Sequence, residues 1–169
     1  MKRTSLITLG LFTATLVLAI ACSAPEPTKT PAPRSQSEID SKRGRPIIST
    51  VGDALRFDRA ELRETNQASI KLTFVNASKI YQHNWVLVKA GTKDGVASAG
   101  AAAGAENGWI PAGDDRILAH SGLLDPGETE VVSFSAPFVG TYQFVCTFPG
   151  HAATMFGDFV STGIARPNR

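Results

Sequence analysis

Three residue types that bind soft metals are concentrated near the end of the chain. The segment CTFPGHAATM contains Cys146, His151 and Met155, although the 169-residue chain has only two cysteines, two methionines and three histidines. The Pro-Gly pair at its centre predicts a turn, which would bring the three side chains to one end of a strand. A thiolate, an imidazole and a thioether form a soft donor set. The segment therefore predicts three ligands of one metal ion, with a fourth supplied from elsewhere.

The two remaining histidines are the candidates for the fourth ligand. His83 begins the strand-like run HNWVLVK, which can lie beside the cysteine strand with its start at the same end. His120 lies two residues before a glycine and shortly before an Asp-Pro-Gly turn, a setting typical of a surface residue. His83 is therefore the predicted fourth ligand.

This donor set favours copper. Two imidazoles, a thiolate and a thioether describe a blue-copper site, whereas structural zinc usually has further cysteine or histidine in place of methionine. Zinc could still occupy the site in a host that is poor in copper. The simpler alternative is that Cys146 and Met155 only fill a hydrophobic core. Their joint spacing with two histidines makes a single copper ion the better interpretation.

Short runs that alternate apolar and polar residues predict an all-β fold. ASIKLTFVN places Ile70, Leu72 and Phe74 on one face of a strand. Similar runs follow, each bounded by Gly, Pro or Asn, and residues 47–58 offer one or two more strands. The later runs are HNWVLVK, ETEVVSFSA, GTYQFVCTF and FGDFVSTG. The pattern is typical of a Greek-key β-sandwich.

The remaining features of the domain follow from composition and length. Residues 96–107 are rich in Ala and Gly and predict a short helical flap. The aromatic residues Phe74, Trp85, Phe134 and Phe144 are predicted core residues. We expect a domain at 46–164, followed by a short tail at 165–169. A sandwich of this size can bury a self-sufficient core.

The N-terminal segment has the pattern of an export signal. Residues 1–21 have a basic start and then an uncharged apolar run. That run ends LAIAC, which resembles the lipobox of bacterial lipoproteins and predicts lipidation of Cys22; an uncleaved anchor, or an ordinary signal with an incidental cysteine, is the alternative. Residues 22–45 are rich in Pro, Ser and charge and predict a disordered tether. The domain is thus expected to be exported and held at the periplasmic face of the bacterial cytoplasmic membrane.

Charge and cysteine content argue against nucleic acid as a partner and against an internal disulfide bond. The formal net charge is +2, without the basic stripe that nucleic-acid binders use, so nucleic acid is not a predicted partner. If Cys22 carries lipid, Cys146 is the only thiol in the domain and no internal disulfide can form.

Two segments resemble the copper-binding segments of azurins, QFVCTFPGHAATMFG and HNWVLV. The runs DDRILAHSGLL and GETEVVSFS resemble the azurin sequence between them, so the similarity extends over about residues 47–160. On these motifs the chain is identified as a member of the azurin-type cupredoxins. The tether and lipobox are most similar to those of the auracyanins, the membrane-associated cupredoxins of filamentous anoxygenic phototrophs.

The resemblance implies one type 1 copper ion per chain. It would be bound through Nδ1 of His83 and His151, through the Cys146 thiolate, and weakly through Met155. Gln82 stands where azurins have a glycine whose carbonyl approaches copper, so whether that contact exists here stays open.

The resemblance also implies supporting roles around the metal. Asn84 would brace the loop after Cys146, and the backbone N–H groups of Asn84 and Phe148 would donate hydrogen bonds to the sulfur. His151 would carry the electron to the surface. An apolar docking patch would surround it, formed by Ile80, Tyr81, Phe148, Ala152 and Ala153.

The implied function is single-electron transfer by a monomer cycling between Cu(I) and Cu(II). Its partners would be cytochromes or membrane oxidoreductase complexes of photosynthetic or respiratory electron transport. Copper nitrite reductases and multicopper oxidases need a second, histidine-rich copper centre, for which only His120 remains, so an enzyme is not predicted. A copper chaperone or storage protein is the alternative.

Overall fold

The computed structural model describes residues 44–163, which form a β-sandwich with one helix. The predicted signal, Cys22, most of the predicted tether and the predicted tail lie outside the described residues. Within them, no helix is long and apolar enough to cross a membrane. The elements are β1 Ile47–Val51, β2 Ala54–Phe57, β3 Glu61–Thr65, β4 Ser69–Val75, β5 Val86–Val88, α1 Lys93–Ala103, a 3₁₀ turn Ala105–Asn107, β6 Ile117–His120, β7 Thr129–Ser135, β8 Gly140–Val145 and β9 Phe156–Thr162.

Two sheets face each other across the core. One has the strand order β2-β1-β4-β7 and the other the order β3-β9-β8-β5-β6. Two pairs are parallel, β1 with β4 and β3 with β9, and the other pairs are antiparallel. The predicted all-β sandwich is confirmed, and β8 and β9 are neighbours joined by the segment that contains Cys146 and Met155.

The alternation seen in the sequence packs the core. Ile70, Leu72 and Phe74 are fully buried on β4, while Ser69 and Lys71 face outward. Removing such side chains from water is the main stabilising contribution to a fold without disulfides.

The predicted aromatic core residues lie as expected, with one partial exception. Trp85 and Phe144 are fully buried, and their ring centroids are 6.1 Å apart. Phe134 packs against the same cluster but is only partly buried.

Some element boundaries differ from the sequence predictions. The helix begins at Lys93 rather than at residue 96, and Asp94 in its first turn is favourable there because a negative charge stabilises a helix N-terminus. It ends at Ala103, because Gly104 adopts a φ of 84°, and residues 105–107 form a separate 3₁₀ turn.

The run HNWVLVK is extended, but only part of it is a strand. Val86–Val88 form β5. His83 precedes this strand and forms an isolated antiparallel bridge with Leu124. His83 is therefore positioned by its bridge to Leu124 and not by a continuous strand.

Candidate metal centre

The loop between β8 and β9 closes on itself. The Cys146 backbone N–H donates to the Met155 carbonyl oxygen at 3.0 Å, and the N–H groups of Thr154 and Met155 donate to the His151 carbonyl at 3.1 and 2.9 Å. Gly150 has a φ of 83°, a conformation that favours glycine and lets the chain turn directly before His151. This loop therefore holds Cys146, His151 and Met155 at one end of the sandwich.

His83 is held at the same end of the sandwich by backbone hydrogen bonds to Leu124. Its N–H donates to the Leu124 carbonyl at 3.1 Å, and the Leu124 N–H donates to the His83 carbonyl at 2.8 Å. The Asn76 side chain donates to the carbonyls of Tyr81 and Leu124 at 2.9 and 3.0 Å. These bonds fix the backbone on which the His83 ring is carried.

Three donor atoms face one another in a buried cluster. The Cys146 Sγ lies 3.8 Å from Nδ1 of His83 and 3.6 Å from Nδ1 of His151, and the three donor atoms lie within 4.8 Å of one another. A metal about 2.0–2.1 Å from each nitrogen and about 2.3 Å from sulfur, with N–metal–S angles of about 120°, places the sulfur about 3.8 Å from each nitrogen. The donor spacing thus fits an ion held between the two imidazoles and the thiol.

Met155 is fully buried in the same core cluster as Cys146. The close group of His83, Cys146 and His151 contains no carboxylate, which suits a soft ion and not magnesium or calcium. His120 lies apart from this group: it is exposed, and its Nδ1 is 2.9 Å from the Ser121 carbonyl oxygen.

Burial sets the protonation states of the metal-free cluster. Desolvation, followed by the nearby His151, lowers the pKa of His83 to about 4, and desolvation also lowers the pKa of His151. Both rings are therefore neutral at pH 7, which is the form that binds metals. Burial raises the pKa of the Cys146 thiol to about 11, against hydrogen bonds from the Asn84 and Phe148 backbones that lower it. Metal binding must therefore displace a proton from this sulfur.

Asn84 joins the metal-binding loop to the segment after the helix. Its Oδ1 accepts from the Thr147 N–H at 2.8 Å, and its Nδ2 donates to the Gly108 carbonyl at 3.0 Å and to the Thr147 hydroxyl at 2.8 Å. Asn84 and Thr147 are both buried. These bonds tie Asn84 to Thr147, the residue that follows Cys146.

An apolar surface surrounds the single exposed edge of the site. His151 retains 4% of its surface, and its ring lies 4.6 Å from that of Phe148 and 6.0 Å from that of Tyr81. Ile80 is 64% exposed, Tyr81 is 40% exposed, and Ala153 is exposed, while Phe148 and Ala152 are partly buried. The predicted docking residues therefore lie at the cluster's end of the molecule.

Trp109 adds to this aromatic surface and was not predicted from the sequence. Its ring lies 5.7 Å from that of Phe148, so Phe148 is held between Trp109 and His151. Trp109 has a φ of 62°, which is rare for a bulky residue. Gly100 permits this arrangement, because a side chain there would collide with the Trp109 carbonyl. The sequence feature that could have indicated this position is the run Asn-Gly-Trp after the Ala-rich segment, since Asn-Gly marks a turn.

Comparison with known proteins agrees with this geometry. The sequence profile of copper-binding proteins of the plastocyanin/azurin family matches residues 47–161, a range that contains His83, Cys146, His151 and Met155. The chain belongs to the plastocyanin/azurin family of copper-binding proteins. The cluster of His83, Cys146 and His151 in this cupredoxin is therefore a candidate copper site.

Its relatives include both groups indicated by the sequence motifs. Auracyanin-A of Chloroflexus aurantiacus is 40% identical over 115 residues, which cover 67% of this chain and 71% of the relative. The azurin of Bordetella pertussis is 34% identical over 113 residues, which cover 62% of this chain and 75% of the relative.

Solved structures give the same assignment. The dithionite-reduced auracyanin of Roseiflexus castenholzii has a TM-score of 0.68 and 34% identity, with 70% of this chain and 97% of that chain covered. Auracyanin A of Chloroflexus aurantiacus, described as a "blue" copper protein, has a TM-score of 0.67 and 38% identity, with 70% and 98% covered.

Proposed function

We propose that the chain is a mononuclear blue-copper electron carrier, with His83, Cys146 and His151 as the principal copper ligands and Met155 as a weak axial one. Copper bound there would take up and release one electron by cycling between Cu(I) and Cu(II). The observation that carries the proposal is the buried group in which two imidazole nitrogens lie 3.6 and 3.8 Å from one cysteine sulfur.

The scaffold suits a carrier because the ligand positions are fixed before metal binds. Cys146 follows β8 directly, His83 is fixed by its bridge to Leu124, and Asn84 links the ligand loop to the next segment. Side chains held in this way move little when charge at the site changes, which favours fast electron transfer. Complete burial of Cys146 and Met155 excludes water from the sulfur donors.

The exposed edge of His151 is the proposed exit for the electron. A partner that docks on Ile80, Tyr81 and the neighbouring small residues approaches this edge closely. The patch is small and mostly apolar, which suits weak complexes that separate quickly after transfer. We propose a cytochrome or a membrane oxidoreductase complex as partner, and a monomeric carrier.

The proposed location follows from the N-terminal sequence. The export signal at 1–21, lipidation of Cys22 and a tether through residue 45 would hold the domain at the periplasmic face of the membrane. Such tethering raises the effective concentration of the carrier near membrane redox complexes. Mass spectrometry of the N-terminus extracted from membranes tests the lipid.

Two other functions are less compatible with the site. A copper chaperone must hand over its ion, whereas Cys146, His83 and Met155 are fully buried. A multicopper enzyme needs a second centre, but residues 44–163 contain a single close group of histidine, cysteine and acidic side chains that could hold a metal. We therefore propose a carrier and not an enzyme.

Redox potentiometry of the copper-loaded protein tests the proposal. We expect a reversible one-electron couple and retention of copper in both states during competition with a Cu(I) chelator. Rapid loss of Cu(I) to the chelator, without a reversible couple, would instead identify a delivery or storage protein.

Replacement of the axial residue should tune the copper site without destroying it. Met155→Leu keeps an apolar side chain of similar size and removes the thioether. The thioether stabilises Cu(II) more than it stabilises Cu(I), so its loss favours the reduced ion. We expect retained blue colour and a higher reduction potential, by an amount on the order of 59 mV, which corresponds to a tenfold change in relative affinity for a one-electron couple. Loss of all copper binding, or an unchanged potential, would count against an axial role.

A charge placed in the docking patch should slow electron transfer. Ile80→Lys brings like charges together when two copies approach through their patches, so the electron self-exchange rate should fall at least about tenfold. NMR line broadening in mixtures of oxidised and reduced protein measures this rate. Val131→Lys is the matched control, because Val131 is 55% exposed on β7, a strand that contributes no residue to the patch. Equal effects of both substitutions would rule out docking through Ile80.

A further inference from the structure

Two large apolar side chains are exposed at the end of the sandwich opposite the metal centre. Phe138 and Val139 lie between β7 and β8, with 72% and 62% of their surfaces exposed. β8 has six residues, which span about 20 Å between this turn and Cys146. We call residues 137–140 the far turn. Its position excludes it from the docking patch around His151.

Hydrogen bonds hold the far turn in place. The Tyr142 hydroxyl donates to the Phe138 carbonyl at 3.1 Å, and the Ser161 hydroxyl donates to the Pro137 carbonyl at 2.6 Å. The fold thus presents Phe138 and Val139 together at a fixed tip. Adjacent exposed apolar side chains of this kind are typical of a surface that contacts another apolar phase.

Both ends of the described chain leave the domain beside the far turn. At the N-terminal end, the Gly44 carbonyl accepts from the Lys71 N–H at 2.6 Å, near the start of β4, where Ser69 pairs with Ser135. At the C-terminal end, Ser161 of β9 pairs with Gly140 of the far turn. The segments before residue 44 and after residue 163 therefore join the domain at this end.

The composition of these flanking segments matches an anionic lipid surface. Lys42 and Arg43 immediately precede Gly44, Arg45 is exposed, and Arg166 and Arg169 follow the last strand. Exposed apolar side chains combined with basic residues are the means by which peripheral proteins bind anionic bilayers.

We propose that the far turn contacts the membrane, with Phe138 and Val139 in the interfacial region and the exposed Arg45 at anionic headgroups. The inference deepens the proposed function and rests on its membrane attachment through the N-terminal segment. Contact at this end directs the His151 patch away from the bilayer. The patch then faces partners in the periplasm or the exposed parts of membrane complexes.

Tryptophan quenching by brominated lipid tests the orientation. A chain comprising residues 22–169 is coupled through Cys22 to a maleimide lipid, in vesicles of phosphatidylcholine and phosphatidylglycerol with brominated acyl chains. Cys146 is fully buried and does not compete for coupling. This chain contains the whole folded domain, since the solved auracyanins are covered to 97% and 98% by 70% of the present chain.

The matched variants place one new tryptophan at each end of the molecule. Phe138→Trp and Ile80→Trp both replace exposed apolar residues, 72% and 64% exposed. We expect the added fluorescence of Phe138→Trp to be quenched, and that of Ile80→Trp to be quenched no more than the native Trp85 and Trp109. Absence of quenching at residue 138, or equal quenching at residues 80 and 138, overturns the proposal.

Self-association is the competing use of the same surface. If a chain comprising residues 44–169 sediments as a dimer, and the double substitution Phe138→Ser with Val139→Ser makes it monomeric, the far turn binds a second copy and the proposal is overturned. Blue colour in all variants reports the metal centre separately. Quenching at residue 138 without blue colour would support membrane contact and contradict the proposed electron carrier.

Discussion

Replacing Cys146 with serine is expected to abolish the blue absorption and to weaken copper binding by more than about a hundredfold. Substitutions of residues that only orient metal ligands already lower affinity about 10–100-fold. Loss of the sulfur removes the donor that faces both Nδ1 atoms at 3.6 and 3.8 Å. A visible spectrum and a copper titration of Cys146→Ser measure both effects.

The chain provides a matched control for this substitution. Cys22→Ser removes the only other cysteine and should leave the blue band unchanged. If Cys146→Ser retains the band, the sulfur is not the ligand that gives the colour. A lost band in Cys22→Ser would likewise contradict a site confined to the domain.

Replacing Asn84 with alanine is expected to destabilise the metal-free domain by about 3 kcal/mol. The Thr147 N–H and the Gly108 carbonyl would lose partners that are 2.8 and 3.0 Å away. A buried polar group without a partner costs about 1–3 kcal/mol. At about 4 °C for each kcal/mol, the Tm should fall by about 12 °C. The reduction potential should also shift, because Thr147 follows the ligand Cys146.

A second asparagine separates this effect from a general loss of amide groups. Asn107 is exposed, and its side chain donates to the Ala103 carbonyl at 2.7 Å. Asn107→Ala should change stability by no more than about 0.5 kcal/mol. Similar stability losses for Asn84→Ala and Asn107→Ala would show that Asn84 does not brace the ligand loop.

Strands with regular alternation were predictable from the sequence, whereas β3 and β6 were not. β4 alternates buried and exposed residues along its length. In β3 only Leu62 is buried among Glu61–Thr65, so its position depends on parallel pairing with β9, which is almost 100 residues later in the chain. β6 was missed for a similar reason, since none of its side chains is fully buried.

The candidate metal ligands were predictable from the sequence, but the contacts that position them were not. Residue type and spacing singled out Cys146, His151 and Met155, because few other residues bind soft metals. The position of His83 depends on its bridge to Leu124, a contact between segments 41 residues apart that no local pattern encodes. Trp109 depends on a rare backbone conformation and on the absence of a side chain at Gly100.

The most direct test of the copper assignment is the visible spectrum of the domain beginning at Gly44, recorded after addition of Cu(II), after reduction with ascorbate and after reoxidation. The buried cluster of His83, Cys146 and His151 predicts an intense blue band at one copper per chain, which disappears on reduction and returns on reoxidation. A colourless copper complex, or a band that does not return, would contradict the blue-copper carrier.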